Sequence, residues 1–207
     1  MEMVVACLGS PEAKASRNLE KKMSNWMKEY DKSIKLLLIG AGESGKTTII
    51  KQMKILHIKG FSEEEKKEKA LEIRRNVLES IVTLCQHLAK LGLELADSSK
   101  GGDLTRVLQC GEKCGGDPPD DLLLEVLNED FYTSVAAVWQ DDGIKATYAQ
   151  QHQFQLIDCA KYFLDKVDTI RDPEFNPTAQ DILNSRRMTT DIQKIEFDVQ
   201  IPKKYGG

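Results

Sequence analysis

Eight consecutive residues near the start of the chain have the composition of a phosphate-binding loop. Residues 40–47 read Gly-Ala-Gly-Glu-Ser-Gly-Lys-Thr, which fits the pattern GxxxxGK[ST]. Glycines let backbone N–H groups wrap a phosphate, Lys46 neutralises phosphate oxygens, and the Thr47 hydroxyl can bind Mg²⁺. The predicted nucleotide-binding residues here are Gly40, Ala41, Gly42, Glu43, Ser44, Gly45, Lys46, Thr47 and Thr48.

The segments on either side of this loop fit the same chemistry. Residues 36–39 form a continuous apolar run, which predicts a strand buried on both faces of a parallel sheet. Residues 48–56 then predict a helix that opens inside the glycine-rich turn. A strand, a glycine turn and a helix in this order predict a P-loop, but they do not distinguish GTP from ATP, nor a switch protein from a kinase or ATPase.

The middle of the chain is predicted to be helical. A capping box at residues 62–65 starts a helix that keeps its apolar period to about residue 88. Residues 91–121 are rich in Gly and Pro and predict a mobile loop around one short helix at 104–108. Further helices are predicted over 120–127, 130–139, 143–151 and 156–169, and alternation over 195–201 predicts a half-buried strand.

This order predicts the α/β class with few strands. Two strands are too few for a doubly wound sheet. Either the helical block is an all-α domain inserted into an α/β P-loop domain that is truncated, or the α/β part is vestigial.

A helix is also predicted from Ser10 to about Tyr30, before the loop. Its apolar residues recur along one narrow face, consisting of Leu19, Met23, Trp26, Met27 and Tyr30. Two interpretations remain open for this stripe: it packs on its own domain, or it docks on a partner.

Composition excludes several classes of protein. The 207 residues carry a net charge of -4 without a basic stripe or aromatic ladder, which argues against a nucleic-acid partner. The five cysteines lack paired metal-binding spacing and are interpreted as reduced cytosolic thiols. The apolar run at residues 3–8 is too short for a signal peptide or a membrane span.

Two stretches beyond simple patterning resemble a known family. The loop followed by Lys-Gln-Met-Lys-Ile-Leu-His at 51–57 closely resembles the first motif of the alpha subunits of heterotrimeric G proteins. Residues 154–165 resemble the helical-domain segment of that family, and Asp158-Cys159 is most similar to its stimulatory class. The resemblance implies a truncated Ras-like P-loop NTPase domain over 33–60 and 177–207, an inserted all-α domain over 61–176, and an amino-terminal helix with a lipid-anchor segment over 1–32.

Residues 181–190 are similar to the first switch segment of the family, and this implies roles for individual side chains. Arg186 would be the catalytic arginine that stabilises transition-state charge, and it would pair with Glu43. Thr189 would be the second magnesium ligand beside Thr47. Asp158, Leu183 and Asn184 stand where family members touch the ribose or base. Without the resemblance, Arg186 and Arg187 also fit two solvated loop arginines.

The sequence departs from the family at several points. Asp191 stands where the family generally has glycine after the switch threonines, and Asn184 replaces a usual arginine. The DxxGQ segment that supplies the water-orienting glutamine and the guanine-reading NKxD segment do not occur in these 207 residues. The resemblance therefore implies the amino-terminal half of such a subunit, with little or no GTP turnover expected from it alone.

Function and partners follow from the resemblance as expectations. The chain would be a guanine-nucleotide-binding signal transducer that binds GTP or GDP with Mg²⁺ and hydrolyses GTP downstream of G-protein-coupled receptors. A truncated, non-catalytic interaction protein is the alternative. The partners that the resemblance implies are the beta-gamma dimer, docked on the amino-terminal helix, and, for the complete protein, a receptor and adenylyl cyclase.

The expected location is the cytosol or the cytoplasmic face of the plasma membrane. Cys7 resembles the palmitoylation cysteine of the family, although a cysteine in a frayed terminus is the plainer interpretation. Glu2 stands where myristoylation requires glycine, which rules that modification out. One acyl chain anchors weakly, so a second membrane signal would be needed.

Overall fold

The computed structural model describes residues 11–58, 60–116, 118–187 and 194–198. The chain divides into two compact units, residues 1–40 and 41–207. The helices are α1 (Pro11–Lys32), α2 (Lys46–His57), α3 (Glu63–Lys90), α4 (Gly101–Cys114), α5 (Asp120–Val126), α6 (Glu129–Trp139), α7 (Asp142–Ala149), α8 (Ala160–Leu164), α9 (Val167–Ile170) and α10 (Ala179–Asn184), with 3₁₀ turns at Ser98–Lys100 and Gln151–Gln153. Within the described ranges, no helix has the length and apolar character needed to cross a bilayer.

In the first unit, α1 carries the predicted apolar stripe as an exposed surface. Leu19, Met23, Trp26 and Met27 each keep 58–61% of their surface accessible. The Trp26 and Tyr30 rings stack with centroids 5.1 Å apart. The predicted Ser10 cap lies outside the described residues.

The predicted strand at 36–39 is not formed. Residues 34–40 adopt neither helix nor strand, and Leu36, Leu37 and Ile39 are about four-fifths exposed. Residues 194–198 of the second predicted strand are likewise irregular, and 199–201 lie outside the described residues. A strand needs a neighbour to pair its backbone groups, and the described part of the chain supplies none. The α/β class is therefore not confirmed, because the described structure is helical.

In the second unit, α3 is the central helix of the core. Its residues Ile73, Val77, Ile81 and Leu84 are fully buried, and α4, α7, α8 and α9 pack against it. The predicted capping box is confirmed, since the Glu65 N–H donates to Ser62 Oγ at 3.2 Å and the Ser62 N–H donates to Glu65 Oε2 at 3.0 Å. The long apolar period thus predicts both the helix and the face that it buries.

The short helix predicted at 104–108 within residues 91–121 is confirmed, but it is longer than predicted, because α4 runs for 14 residues from Gly101 to Cys114. Its Val107 is fully buried against the core. Gly111 lets α4 approach α3 closely, because a Cβ there would lie 2.7 Å from Val82 Cγ2. Gly111 is therefore a packing position within a helix, where tertiary contacts override the low helix propensity of glycine.

The helix predicted over 156–169 is broken into α8 and α9. Residues 155–157 are not helical, and Ile157 among them is buried. The helix is interrupted again by a turn at Asp165 and Lys166. Asp165 accepts a hydrogen bond from Trp139 Nε1 at 2.9 Å, and Lys166 pairs with Asp181 at 2.6 Å. The two residues of this turn therefore contact α6 and α10 instead of continuing the helix.

Candidate nucleotide-binding site

The glycine-rich loop leads directly into α2. Gly45 is the residue before the helix and has φ +84°, a left-handed conformation that glycine adopts without strain. Glu43 also has positive φ, at 65°, which is uncommon for a residue with a side chain. This geometry points the positive end of α2 towards the loop, as an anion-binding site requires.

Lys46, the first residue of α2, bends its side chain back over the loop. Its ammonium donates to the Ala41 carbonyl at 2.6 Å and to Ser44 Oγ at 3.3 Å. Thr47 follows in the first helical turn and is partly buried. The two side chains predicted to meet phosphate and magnesium are therefore neighbours at the start of one helix.

Arg186 lies beside the loop although it is distant in sequence. Its guanidinium forms an ion pair with the Glu43 carboxylate. Its backbone is bonded to Asn76 of α3: the Arg186 N–H donates to Asn76 Oδ1 at 2.8 Å, and Asn76 Nδ2 donates to the Arg186 carbonyl at 2.7 Å. The structure thus brings the predicted catalytic arginine to the predicted phosphate loop.

The neighbouring Ser185 is fixed by two charged side chains. Lys51 of α2 donates to the Ser185 carbonyl at 2.6 Å and to its Oγ at 3.0 Å. Ser185 Oγ in turn donates to Glu72 Oε1 of α3 at 2.6 Å. All three residues are buried, so helices α2 and α3 hold the 185–186 segment from both sides.

These elements border one open cavity of about 1240 Å³. Thr47, Lys51, Asn76 and Arg186 contribute to its walls, which also carry many charged side chains. A cavity of this size can hold a small-molecule ligand. Both acidic and basic side chains line it, among them Glu72 and Arg186.

Comparison with known proteins decides the family. The family model described as G-protein alpha subunit matches residues 13–206. This chain belongs to the G-protein alpha subunit family. It is 43% identical to the G(f) subunit alpha of Drosophila melanogaster over 86% of this chain and 42% of that relative, and 40% identical to the G(s) subunit alpha of Schistosoma mansoni over 95% and 52%.

The G(olf) subunit alpha of Homo sapiens is 36% identical over 89% of this chain and 47% of its own length. These relatives confirm the resemblance to the stimulatory class that the motifs indicated. The chain spans about half the length of the relatives that it matches.

Burial shapes the electrostatics of this alpha-subunit site. Desolvation lowers the pKa of Lys51 to about 8, although the charge of Glu72 opposes this effect. Burial works to raise the pKa of Glu72, but the adjacent Lys69 and the hydrogen bond from Ser185 prevail and hold it below its ordinary value. Glu72 is therefore a buried carboxylate that is kept ionised by its partners.

Asp181 anchors the helix that precedes Arg186, and sequence reasoning missed it. Its carboxylate accepts hydrogen bonds from Tyr162 at 2.7 Å, Lys166 at 2.6 Å and Thr178 Oγ1 at 2.7 Å. Burial opposes ionisation, but these donors lower the pKa of Asp181 to about 2. The signal that could have revealed it is the Thr178-x-x-Asp181 spacing, which forms a capping box at α10.

Asn76, Lys51, Glu72 and Ser185 were also missed as parts of the site. In sequence, Lys51 and Glu72 read as charges on helices and Asn76 as a polar residue in an apolar period. Their pairing depends on how α2, α3 and the 185–186 segment meet, which no local pattern reveals.

Several predicted site residues are not joined to the site by the contacts above. Asp158 is exposed in the turn before α8. Leu183 and Asn184 are half-buried at the end of α10, where Asn184 Oδ1 accepts from Gln180 Nε2 at 3.3 Å. Gly40 ends the first unit and residues 41–48 open the second. Cys7, Thr189 and Asp191 lie outside the described residues.

The residues present fit a magnesium ion held mainly by a nucleotide. Mg²⁺ commonly takes only one or two protein oxygens and completes its shell with phosphates and water. The Thr47 hydroxyl beside Lys46 can supply one such oxygen. The described residues contain no cluster of three or more His, Cys, Asp or Glu side chains suited to holding a metal ion.

Proposed function

We propose that this chain is part of a guanine-nucleotide-binding signal transducer that binds GTP or GDP with Mg²⁺ and hydrolyses GTP downstream of G-protein-coupled receptors. The observation that carries the proposal is the placement of Arg186 against Glu43 of the phosphate loop. A guanidinium beside a glycine-rich loop and a helix N-terminus is the arrangement that phosphoryl transfer uses.

Each part of the site has a separate task in the proposed reaction. The start of α2 and the Lys46 ammonium bind the phosphates, and Thr47 with Thr189 would hold the magnesium ion. The bound ion would neutralise phosphate charge. Arg186 would offset the charge that develops on the transferring phosphoryl group, which is the role of the arginine that alpha subunits supply in cis. Asp158, Leu183 and Asn184 would contact the ribose or base.

The predicted domain organisation belongs to this proposal. Residues 33–60 and 177–207 would be parts of a truncated Ras-like α/β domain, with 61–176 inserted as an all-α domain and 1–32 as an amino-terminal helix and anchor. The exposed apolar side chains of Leu36, Leu37 and Ile39 support it, because such a run is suited to burial inside a parallel sheet.

The proposed partners and location come from the family. The exposed stripe of α1 would bind the beta-gamma dimer, and the complete protein would meet a receptor and adenylyl cyclase. Palmitoylation of Cys7 together with α1 docking would hold it at the inner surface of the plasma membrane. G(s) and G(olf) alpha subunits among its relatives support this assignment.

A second candidate function is a non-catalytic interaction protein. The exposed α1 stripe favours it, because Leu19, Met23 and Trp26 offer an apolar surface regardless of nucleotide. In this case α1 would bind G-protein partners without nucleotide turnover.

Binding of a fluorescent GDP analogue with Mg²⁺ to the 207-residue chain tests the first function. We expect saturable binding that unlabelled GTP displaces. Selectivity against ATP is not expected of these 207 residues, because they lack the guanine-reading NKxD segment. Lys46→Ala should weaken binding on the order of a hundredfold, because a charge-assisted phosphate contact is lost. Lys66→Ala is the matched control, since Lys66 pairs with Glu63 on the α3 surface at 2.8 Å.

The outcomes separate the two candidates. Nucleotide binding that Lys46→Ala abolishes and Lys66→Ala preserves supports the transducer. A folded chain that binds no guanine nucleotide, yet binds a purified beta-gamma dimer through α1, supports the interaction protein instead.

A further inference from the structure

The backbone of Arg186 is held by a side chain that has no assigned role. Asn76 lies in the middle of α3 and is only 2% exposed. Its carboxamide both donates to and accepts from the Arg186 peptide, at 2.7 and 2.8 Å. Two parallel hydrogen bonds fix the orientation of a group as well as its position.

A third contact defines which way the Asn76 amide faces. The buried Cys159 thiol donates to Asn76 Oδ1 at 3.9 Å. Burial raises the pKa of Cys159 to about 11, so its sulfur keeps the proton that it donates. Because both the Cys159 thiol and the Arg186 N–H donate to Asn76 Oδ1, the two bonds fix which side of the carboxamide carries the oxygen.

Among the described residues, the carboxamide of Asn76 bonds to Arg186 and Cys159 and to no residue of the phosphate loop. Its oxygen accepts two hydrogen bonds, and its amide nitrogen donates to the Arg186 carbonyl. The Arg186 side chain, in contrast, is 29% exposed and reaches Glu43 in the loop. Any influence of Asn76 on the loop must therefore pass through Arg186.

We propose that Asn76 is a positioning residue for Arg186, which it holds by the peptide so that the guanidinium stays beside the phosphate loop. The functional part of this inference rests on the proposed function, whereas the placement of Arg186 does not. Lys51 and Glu72 form hydrogen bonds with the preceding residue Ser185. Together with Asn76 they therefore hold two consecutive residues, Ser185 and Arg186. Orientation of a catalytic group within about 1 Å can change a rate on the order of a hundredfold.

Amide hydrogen exchange of the full chain tests the placement without any nucleotide. We expect the Arg186 amide to be protected and its exchange to rise on the order of tenfold in Asn76→Ala, because its acceptor is removed. Ser80→Ala is the matched control on α3. Ser80 is fully buried, and its hydroxyl donates only to the Asn76 carbonyl at 2.6 Å, so its removal leaves the carboxamide in place. Equal exchange in wild type and Asn76→Ala overturns the inference.

Single-turnover GTP hydrolysis by the complete protein of the proposed function tests the consequence, because these 207 residues lack the DxxGQ segment and are expected to turn over little GTP. Asn76→Ala should slow the step on the order of tenfold to a hundredfold while the affinity for Mg²⁺ and GDP changes less than about twofold. In an Arg186→Ala background the same substitution should have no further effect, which a general loss of structure would not produce. Ser80→Ala should retain the wild-type rate.

Failure of the inference and failure of the proposed function give different results. A wild-type chain that binds no guanine nucleotide refutes the proposed function, and amide exchange then still decides whether Asn76 holds Arg186. A complete protein that hydrolyses GTP equally fast with and without the Asn76 side chain refutes the inference alone.

Discussion

Arg186 and Glu43 form an ion pair. The pair joins the segment that follows α10 to the phosphate loop that precedes α2. The pair is partly open to solvent, with the Arg186 side chain 29% and the Glu43 side chain 54% exposed. Solvent screens such a pair, so its value lies in the placement of the guanidinium more than in stability.

A double-mutant cycle measures this pair. We expect a coupling energy of about 0.5 kcal/mol between Glu43→Gln and Arg186→Gln in urea unfolding at low salt, and less at about 1 M salt. Glu63→Gln combined with Arg186→Gln should be additive, because Glu63 pairs with Lys66 instead. Additivity of the Glu43 and Arg186 substitutions at low salt would contradict the ion pair.

Acid should weaken the anchor of α10 through Asp181. The folded-state pKa of about 2 lies below the ordinary value of 3.8, so the ionised carboxylate favours the folded state. Its contribution, about 2 kcal/mol, is complete above about pH 4 and is lost as the pH falls to about 2.

Unfolding free energies of wild type and Asp181→Asn should therefore differ at about pH 6 and converge as the pH approaches about 2. Asp168→Asn is the control, because Asp168 is 74% exposed beside Arg171. A difference between wild type and Asp181→Asn that stays constant across this range would show that the carboxylate charge does not stabilise the fold.

Gly143 occupies a position where a side chain does not fit. A Cβ there would lie 2.1 Å from the Glu94 carbonyl oxygen and 3.0 Å from Asp141 Oδ1. Gly143→Ala should lower the free energy of unfolding by about 2 kcal/mol or more, measured by chemical denaturation. Gly102→Ala should instead raise it by about 0.5 kcal/mol, because the space around Gly102 is open and alanine favours the helix. Equal effects of the two substitutions would refute the close packing at Gly143.

Local signals in the sequence predicted much of the helical structure. The capping box at Ser62 and the apolar period of α3 defined a 28-residue helix and its buried face, because both depend on residues three or four positions apart. The glycine-rich loop before Lys46 was also predicted from the sequence, because its residue spacing matches a phosphate-binding motif. For α4 the sequence predicted only the short helix at 104–108 and not its full length of 14 residues. Gly111 fits there because α3 approaches it closely through Val82, a contact that local patterns do not reveal.

The strand predictions were not confirmed, for a different reason. Residues 36–39 have the apolar composition of a buried strand, but strand formation requires backbone partners from elsewhere. The described chain offers no such partner, so the side chains remain exposed.

The sequence by itself determined the phosphate loop, the long helix α3 and membership of the G-protein alpha subunit family, because these depend on short-range spacing and motif identity. Only the tertiary structure decided that Asn76, Lys51 and Glu72 converge on residues 185 and 186. Such convergence depends on how distant helices pack, and buried polar groups must then find partners wherever packing places them.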